Sequence, residues 1–166
     1  MRTAIAGVTL SVGLVIAGMS SAEEQNGVGF SQAQTQRAVS TFNDGAKGCM
    51  GAPVAYRVDC FQQVFGQTAR VISKASAYWE AEVALTRVNR NLYTFVRNHT
   101  DKNAGRERVN GARVKAVTKE SLPEARAVFE KSIDQAVVIL QGSTASETKY
   151  FAPIAEAVAG VRNALD

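Results

Sequence analysis

The chain has 166 residues, and its 19 basic and 15 acidic side chains give a net charge of +4 at neutral pH. One histidine and two cysteines are too few ligands for an ordinary zinc site. H-E-x-x-H, G-x-S-x-G, P-loop and C-x-x-C-H motifs are absent, which excludes the protein classes that depend on them. We therefore predict no catalytic residue, no metal site and no cofactor.

The first 22 residues have the pattern of a secretory signal peptide. Arg2 precedes an uncharged, largely apolar stretch, and Ser20 and Ala22 are small residues at the positions that determine cleavage. An uncleaved anchor is the alternative, because about 19 largely apolar residues can just span a bilayer. We predict a signal peptide at 1–22, a flexible tail at 23–30 and one helical domain at 31–166. The mature protein is then periplasmic or secreted, with no stable transmembrane span.

The two cysteines, Cys49 and Cys60, enclose a short loop at the start of a predicted helix. An oxidising compartment favours a structural disulfide between them. A redox pair is the alternative, although such pairs normally have C-x-x-C spacing. The stretch from Cys49 to about Tyr78 resembles lysozyme-inhibitor-like periplasmic proteins in having two cysteines around a helix start. It matches no specific motif of that family, so the resemblance implies neither a function nor residue roles.

Three helices are predicted before residue 100. Ser31 and Gln34 form a capping-box pattern for the first, which Asn43-Asp44-Gly45 and then Gly48 are expected to end. The second covers about 53–73, and the third continues to about residue 99. A single bent helix over 53–98 is the alternative, but the serines near 74–77 favour a break. The apolar stripe of the third helix comprises Trp79, Val83, Leu85, Val88, Leu92, Phe95 and Val96.

Two further helices are predicted after residue 120. Ser121 and Glu124 form a second capping-box pattern around Pro123, and Gly142 ends that helix. The last helix covers about 144–165, where Pro153 predicts a kink or a late start near residue 151. Amphipathic helices with mostly short connections predict an all-α fold, an antiparallel bundle of four to five helices.

One segment, residues 87–119, interrupts this pattern and is strongly basic. It contains nine basic and two acidic residues, a net charge of +7, whereas the rest of the chain after residue 22 carries −4. Helical periodicity fails from Asn98 to Glu120, and Asn110-Gly111 is a strong hairpin-turn dipeptide. We predict a basic loop or small β-hairpin inserted in the bundle near 99–120. Residues 87–119 are called the basic segment below.

Outside the cytosol, a cationic surface meets lipid headgroups, lipopolysaccharide, wall polymers or acidic proteins. Nucleic acid is not predicted as a partner, because few aromatic residues lie among the bases. The alternative is a loop that is charged only because it is solvated. We predict an exported, non-enzymatic binding protein of the cell envelope; a structural subunit of an envelope assembly is the second possibility. The predicted anion- or partner-binding residues are Arg97, Lys102, Arg106, Arg108, Arg113, Lys115 and Lys119.

A third possibility is a small enzyme or inhibitor-like protein that uses His99, with Asp101 beside it. At the end of a helix, this histidine is more typical of carbonyl capping or solvent contact. Ser146 and Lys149 match S-x-x-K, but a helix start rich in Ser, Thr and Glu explains that match better. Glu130 and Asp134 share a helix face and are expected to be solvated, with Lys131 or Arg126 as ion-pair partners.

Overall fold

The computed structural model describes residues 29–142 and 144–166, so the predicted signal peptide and residues 23–28 lie outside the described residues. The described ranges contain five α-helices and one two-stranded antiparallel sheet, inserted between α3 and α4. The helices are α1 (Gln32–Met50), α2 (Val54–Ile72), α3 (Trp79–His99), α4 (Leu122–Leu140) and α5 (Ala145–Ala159), and the strands are β1 (Glu107–Val109) and β2 (Ala112–Val114).

The five helices form a ring. Each helix packs on the next along the chain, and α5 also packs on α1. Their apolar faces meet in one core, in which the rings of Phe61 and Phe129 lie 5.2 Å apart, centroid to centroid. Burying each such side chain contributes about 1.5–3 kcal/mol. The predicted all-α bundle with a small inserted hairpin is confirmed.

The first helix continues past the glycines that were expected to end it. A Cβ atom on Gly45 would lie 2.7 Å from Cγ2 of Val64, and one on Gly48 would overlap the Asn110 side chain. These glycines therefore allow close approach of α2 and the hairpin, and their cost in helix propensity is offset by packing. The bridge between Cys49 and Cys60 joins the end of α1 to α2, with Cα atoms 5.5 Å apart.

The predicted break between the second and third helices is confirmed: α2 ends at Ile72 and a 3₁₀ turn precedes α3. The placement of Trp79 in the buried stripe is wrong, because its side chain is 66% exposed. Tyr78 is buried instead, and its hydroxyl donates to the Ser31 carbonyl. Phe30, at the end of the predicted tail, stacks on Tyr150 with centroids 5.1 Å apart.

The predicted capping box at the start of α4 does not form. The Ser121 hydroxyl donates to the Thr118 carbonyl, 2.8 Å away, because a 3₁₀ turn at Lys119–Ser121 leads directly into the helix. The predicted end of α4 at Gly142 is confirmed by its positive φ of 73°.

The last helix begins earlier than a late start at residue 151 would allow. Thr144 and Glu147 form a capping box, so the S-x-x-K match lies in the first turn of α5. The helix runs through Pro153 and ends at Ala159, before the predicted residue 165.

Candidate anion-binding surface

The sheet is a tight hairpin whose register is fixed by its turn. Asn110 and Gly111 have φ values of 53° and 78°, the left-handed conformations that a two-residue hairpin turn requires. Glu107 pairs with Val114, Arg108 with Arg113 and Val109 with Ala112. The predicted hairpin turn at Asn110-Gly111 is confirmed.

The α2 helix holds the segment that follows the turn. The buried Asp59 carboxylate accepts a hydrogen bond from the Lys115 backbone N–H, 2.8 Å away. Gln63 donates from Nε2 to the Arg113 carbonyl at 3.0 Å. One turn earlier, the Ala55 carbonyl accepts from the Val117 N–H at 2.9 Å. These bonds fix the backbone of residues 113–117 and do not involve the cationic groups of Arg113 and Lys115.

Two further contacts hold the other side of the hairpin. Asn110 donates from Nδ2 to the Gly45 carbonyl in α1 at 2.8 Å. The Tyr56 hydroxyl donates to the Gly105 carbonyl at 2.9 Å. Because the disulfide ties the end of α1 to α2, both helices that support the hairpin are covalently linked beneath it. The hairpin therefore has the tertiary support that an isolated two-stranded ribbon lacks.

Burial is the main influence on the Asp59 carboxyl group, and it raises the pKa above the ordinary aspartate value. The hydrogen bond from the Lys115 N–H and the charges of Lys115 and Arg106 act in the opposite direction without cancelling it. Asp59 is thus a backbone anchor beneath the basic surface, and its charge carries a desolvation cost.

The basic side chains of the hairpin face outward. Val114 is buried against the bundle, so its strand neighbour Arg113 points to the opposite side, into solvent. Arg108 lies directly across from it, and like charges in that position destabilise a sheet. Within the described ranges, none of the predicted binding residues forms a side-chain ion pair; all are exposed except half-buried Lys115 (Arg97, Lys102, Arg106, Arg108, Arg113, Lys115, Lys119).

In contrast, two cations elsewhere, Arg126 on α4 and Arg162 in the turn after α5, form ion pairs. The Arg162 guanidinium binds both oxygens of Asp134, at 2.8 and 3.1 Å, and also approaches Glu130 at 3.4 Å. This contact lowers the pKa of Asp134. The expected pairing of these two acids with Lys131 or Arg126 is therefore wrong, since Arg126 pairs instead with Asp166 at 3.0 Å.

The geometry around His99 places it against α4. Its ring stacks on Phe95, with centroids 4.3 Å apart, and its Nε2 lies 4.0 Å from a Glu124 oxygen. The Asp101 carboxylate instead accepts from the Asn103 N–H at 2.8 Å. Neither contact of His99 brings it to a nucleophile.

The anchoring residues were missed by the sequence reasoning. Asp59 had a detectable signal, because it is a charged residue between core positions Val58 and Phe61 on the apolar side of α2. Gln63, one turn later, had no such signal. In the part of the chain that the structure describes, no three potential ligands are grouped to hold a metal ion. None of the described helices is long and apolar enough to cross a bilayer.

Comparison with known proteins gives no relative from which a role could be carried over. No protein-family model matches the chain, and neither a curated protein nor a solved structure is found to be similar to it.

Proposed function

We propose that this protein is an exported, non-enzymatic binding protein of the cell envelope, and that the basic segment binds an anionic partner. The observation that carries this proposal is the Arg108–Arg113 pair, two like charges directly opposite each other on an outward face. Such a pair has a cost in the free protein that a bound anion removes.

The support for the hairpin strengthens the proposal. A loop that is charged only for solubility needs no defined backbone, whereas this one is tied by hydrogen bonds to α1 and α2, which the disulfide joins. A fixed array of cations loses little conformational freedom on binding, so more of the interaction energy appears as affinity.

Export is part of the proposal. It rests on the signal-peptide pattern at 1–22 and on the Cys49–Cys60 bridge, because structural disulfides are maintained in oxidising compartments. In such a compartment the available anions include acidic lipid headgroups and lipopolysaccharide, and each Lys or Arg near an anionic membrane contributes about 1 kcal/mol.

The test is sedimentation of the folded protein with phosphatidylglycerol vesicles and with lipopolysaccharide. Binding is expected to fall steeply between low and physiological salt. Replacing four bases with serine (Arg106, Arg108, Arg113 and Lys115) removes up to about 4 kcal/mol, a loss of affinity of up to about a thousandfold.

The matched control removes four exposed bases outside the basic segment, again as serine variants (Lys47, Arg70, Lys74 and Lys149). It has the same net charge, so a similar loss in both variants would refute a defined site. Absence of binding to either anion, or unchanged binding in the first variant, would also contradict the proposal.

A further inference from the structure

We propose that the outward face of α3 is a dimerisation surface on which a second copy of this chain docks antiparallel about a two-fold axis at Thr86. The face includes Arg90 and Tyr93 of the basic segment, and Ala112 of the hairpin lines one groove with Glu82 and Thr86. The inference uses none of the seven predicted anion-binding residues and does not depend on anion binding. It rests on the symmetric spacing of five residues along one helix, of which Trp79, Arg90 and Tyr93 are exposed and Glu82 and Thr86 are half-buried.

The first observation is the exposed aromatic side chains. Trp79 is 66% exposed and Tyr93 53% exposed, although large aromatic residues are usually well covered in a folded domain. Beside Trp79, exposed Val138 from α4 extends the apolar area, and the two line a depression of about 430 Å³. Aromatic residues are enriched at protein–protein interfaces.

The second observation is the spacing around Thr86. Trp79 and Tyr93 lie seven residues before and after it, and Glu82 and Arg90 lie four residues before and after it. At 3.6 residues per turn, all four lie within about 40° of Thr86 on the helix surface. Along the outward face of α3, an aromatic and an acidic residue therefore precede Thr86, and a basic and an aromatic residue follow it.

A two-fold axis beside Thr86, perpendicular to α3, brings each residue of α3 opposite the partner residue that lies equally far on the other side of Thr86. Glu82 then faces the partner's Arg90 about 6 Å along the helix from the axis, and Trp79 faces the partner's Tyr93 at about 10.5 Å. Each contact occurs twice, as an isologous interface requires. The surface is complementary to itself in both charge and apolar character.

Glu82 and Arg90 are available for this pairing. They are eight residues apart, too far to reach each other on one helix. In the described part of the chain, neither forms an ion pair. An anionic membrane is a poorer match for the same face, because Glu80 and Glu82 balance the charges of Arg87 and Arg90 there.

Light scattering and sedimentation equilibrium on the full mature chain give the first measurement, and we expect a reversible dimer. Glu82→Arg and Arg90→Glu are each expected to raise the dimer dissociation constant about tenfold or more, because each places like charges together twice. Lys149→Glu, on α5, is the charge-reversal control and should leave dimerisation unchanged.

Mixing the two single variants gives a test that misfolding cannot imitate. A heterodimer of Glu82→Arg with Arg90→Glu restores both opposite-charge contacts, so it should form where neither variant dimerises alone. In addition, Thr86→Cys should form a disulfide-linked dimer on oxidation. Thr94→Cys should not, because residue 94 lies about two helical turns from the axis and about 80° round the helix from Thr86. A protein that is monomeric at every concentration, or a dimer insensitive to both reversals and not cross-linked through Thr86→Cys, would overturn the proposal.

Discussion

Arginine side chains have opposite environments in the hairpin and in the contact between α4 and the turn after α5. Arg162, in the turn after α5, is held between Asp134 and Glu130 of α4, so its charge is balanced within the protein. On the hairpin, Arg108 and Arg113 face each other while the buried carboxylate below them binds backbone. The hairpin is thus held through its backbone and the Asn110 side chain. Within the described residues its cationic side chains form no ion pair.

Breaking the disulfide is the perturbation with the largest expected effect. The bridge closes a loop of sequence separation 11, and the chain-entropy model assigns such a loop about 3 kcal/mol. Replacing Cys49 and Cys60 with alanine should lower the free energy of unfolding in urea by about that amount. Wild-type protein in reductant should behave like the variant, and equal stability with and without reductant would contradict the account.

Removing the Asp59 anchor has a smaller and more local effect. Asp59→Ala leaves the Lys115 N–H without its acceptor, at a cost of about 1–2 kcal/mol. Amide exchange should accelerate in the hairpin more than in the α4–α5 contact. Equal acceleration in both regions would mean that the hairpin is not separately anchored through this residue.

The same residue gives a prediction about pH. Because burial raises the pKa of Asp59, the folded state binds its proton more readily than the unfolded state. The stability due to protonation is therefore present at low pH and is lost as pH rises from the ordinary aspartate pKa through the raised one. Asp59→Asn keeps an acceptor oxygen, so the stability of this variant relative to wild type should increase across that pH interval. A stability difference that does not change with pH would contradict the raised pKa of Asp59.

Arg162→Ala is expected to have the smallest effect, since exposed ion pairs contribute little and are screened by salt. Its clearest signature is the Asp134 carboxyl pKa, which Arg162 lowers in the wild type and which should return upward in the variant. The stabilisation is present above the ordinary pKa and is lost as pH falls through the lowered one. Carboxyl NMR titration measures this, and an unmoved pKa would show that the contact is not formed in solution.

Local patterns predicted the helices and the turn well, because their determinants are close in sequence. The break near residues 74–77 and the Asn110-Gly111 turn depend on the conformations of a few adjacent residues. The end of α1 was predicted wrongly, because Gly45 and Gly48 respond to Val64 and Asn110, which are distant in the sequence. No local sequence signal distinguishes a glycine that ends a helix from one that allows another element to pack closely against the helix.

Trp79 is a different kind of error. Its position on the helix is about 120° or more from buried Leu85 and Leu92, so strict periodicity would have placed it outside. Its four-residue spacing from Val83 placed it in the predicted stripe, but Val83 is itself only half-buried. The candidate surface could be predicted only in part. Its positive charge follows from the sequence, whereas the Arg108–Arg113 pair depends on the strand register and the Asp59 contact on the tertiary fold.

The central claim is that Arg108 and Arg113 are kept together for a partner at some cost to the free fold. Arg113→Glu tests it directly, because the variant replaces the like-charge pair with an opposite-charge pair that contributes about 0.2–1 kcal/mol. Thermal unfolding and phosphatidylglycerol-vesicle binding are measured on one preparation. The account predicts a higher melting temperature together with weaker binding; binding that is retained in the variant would contradict it.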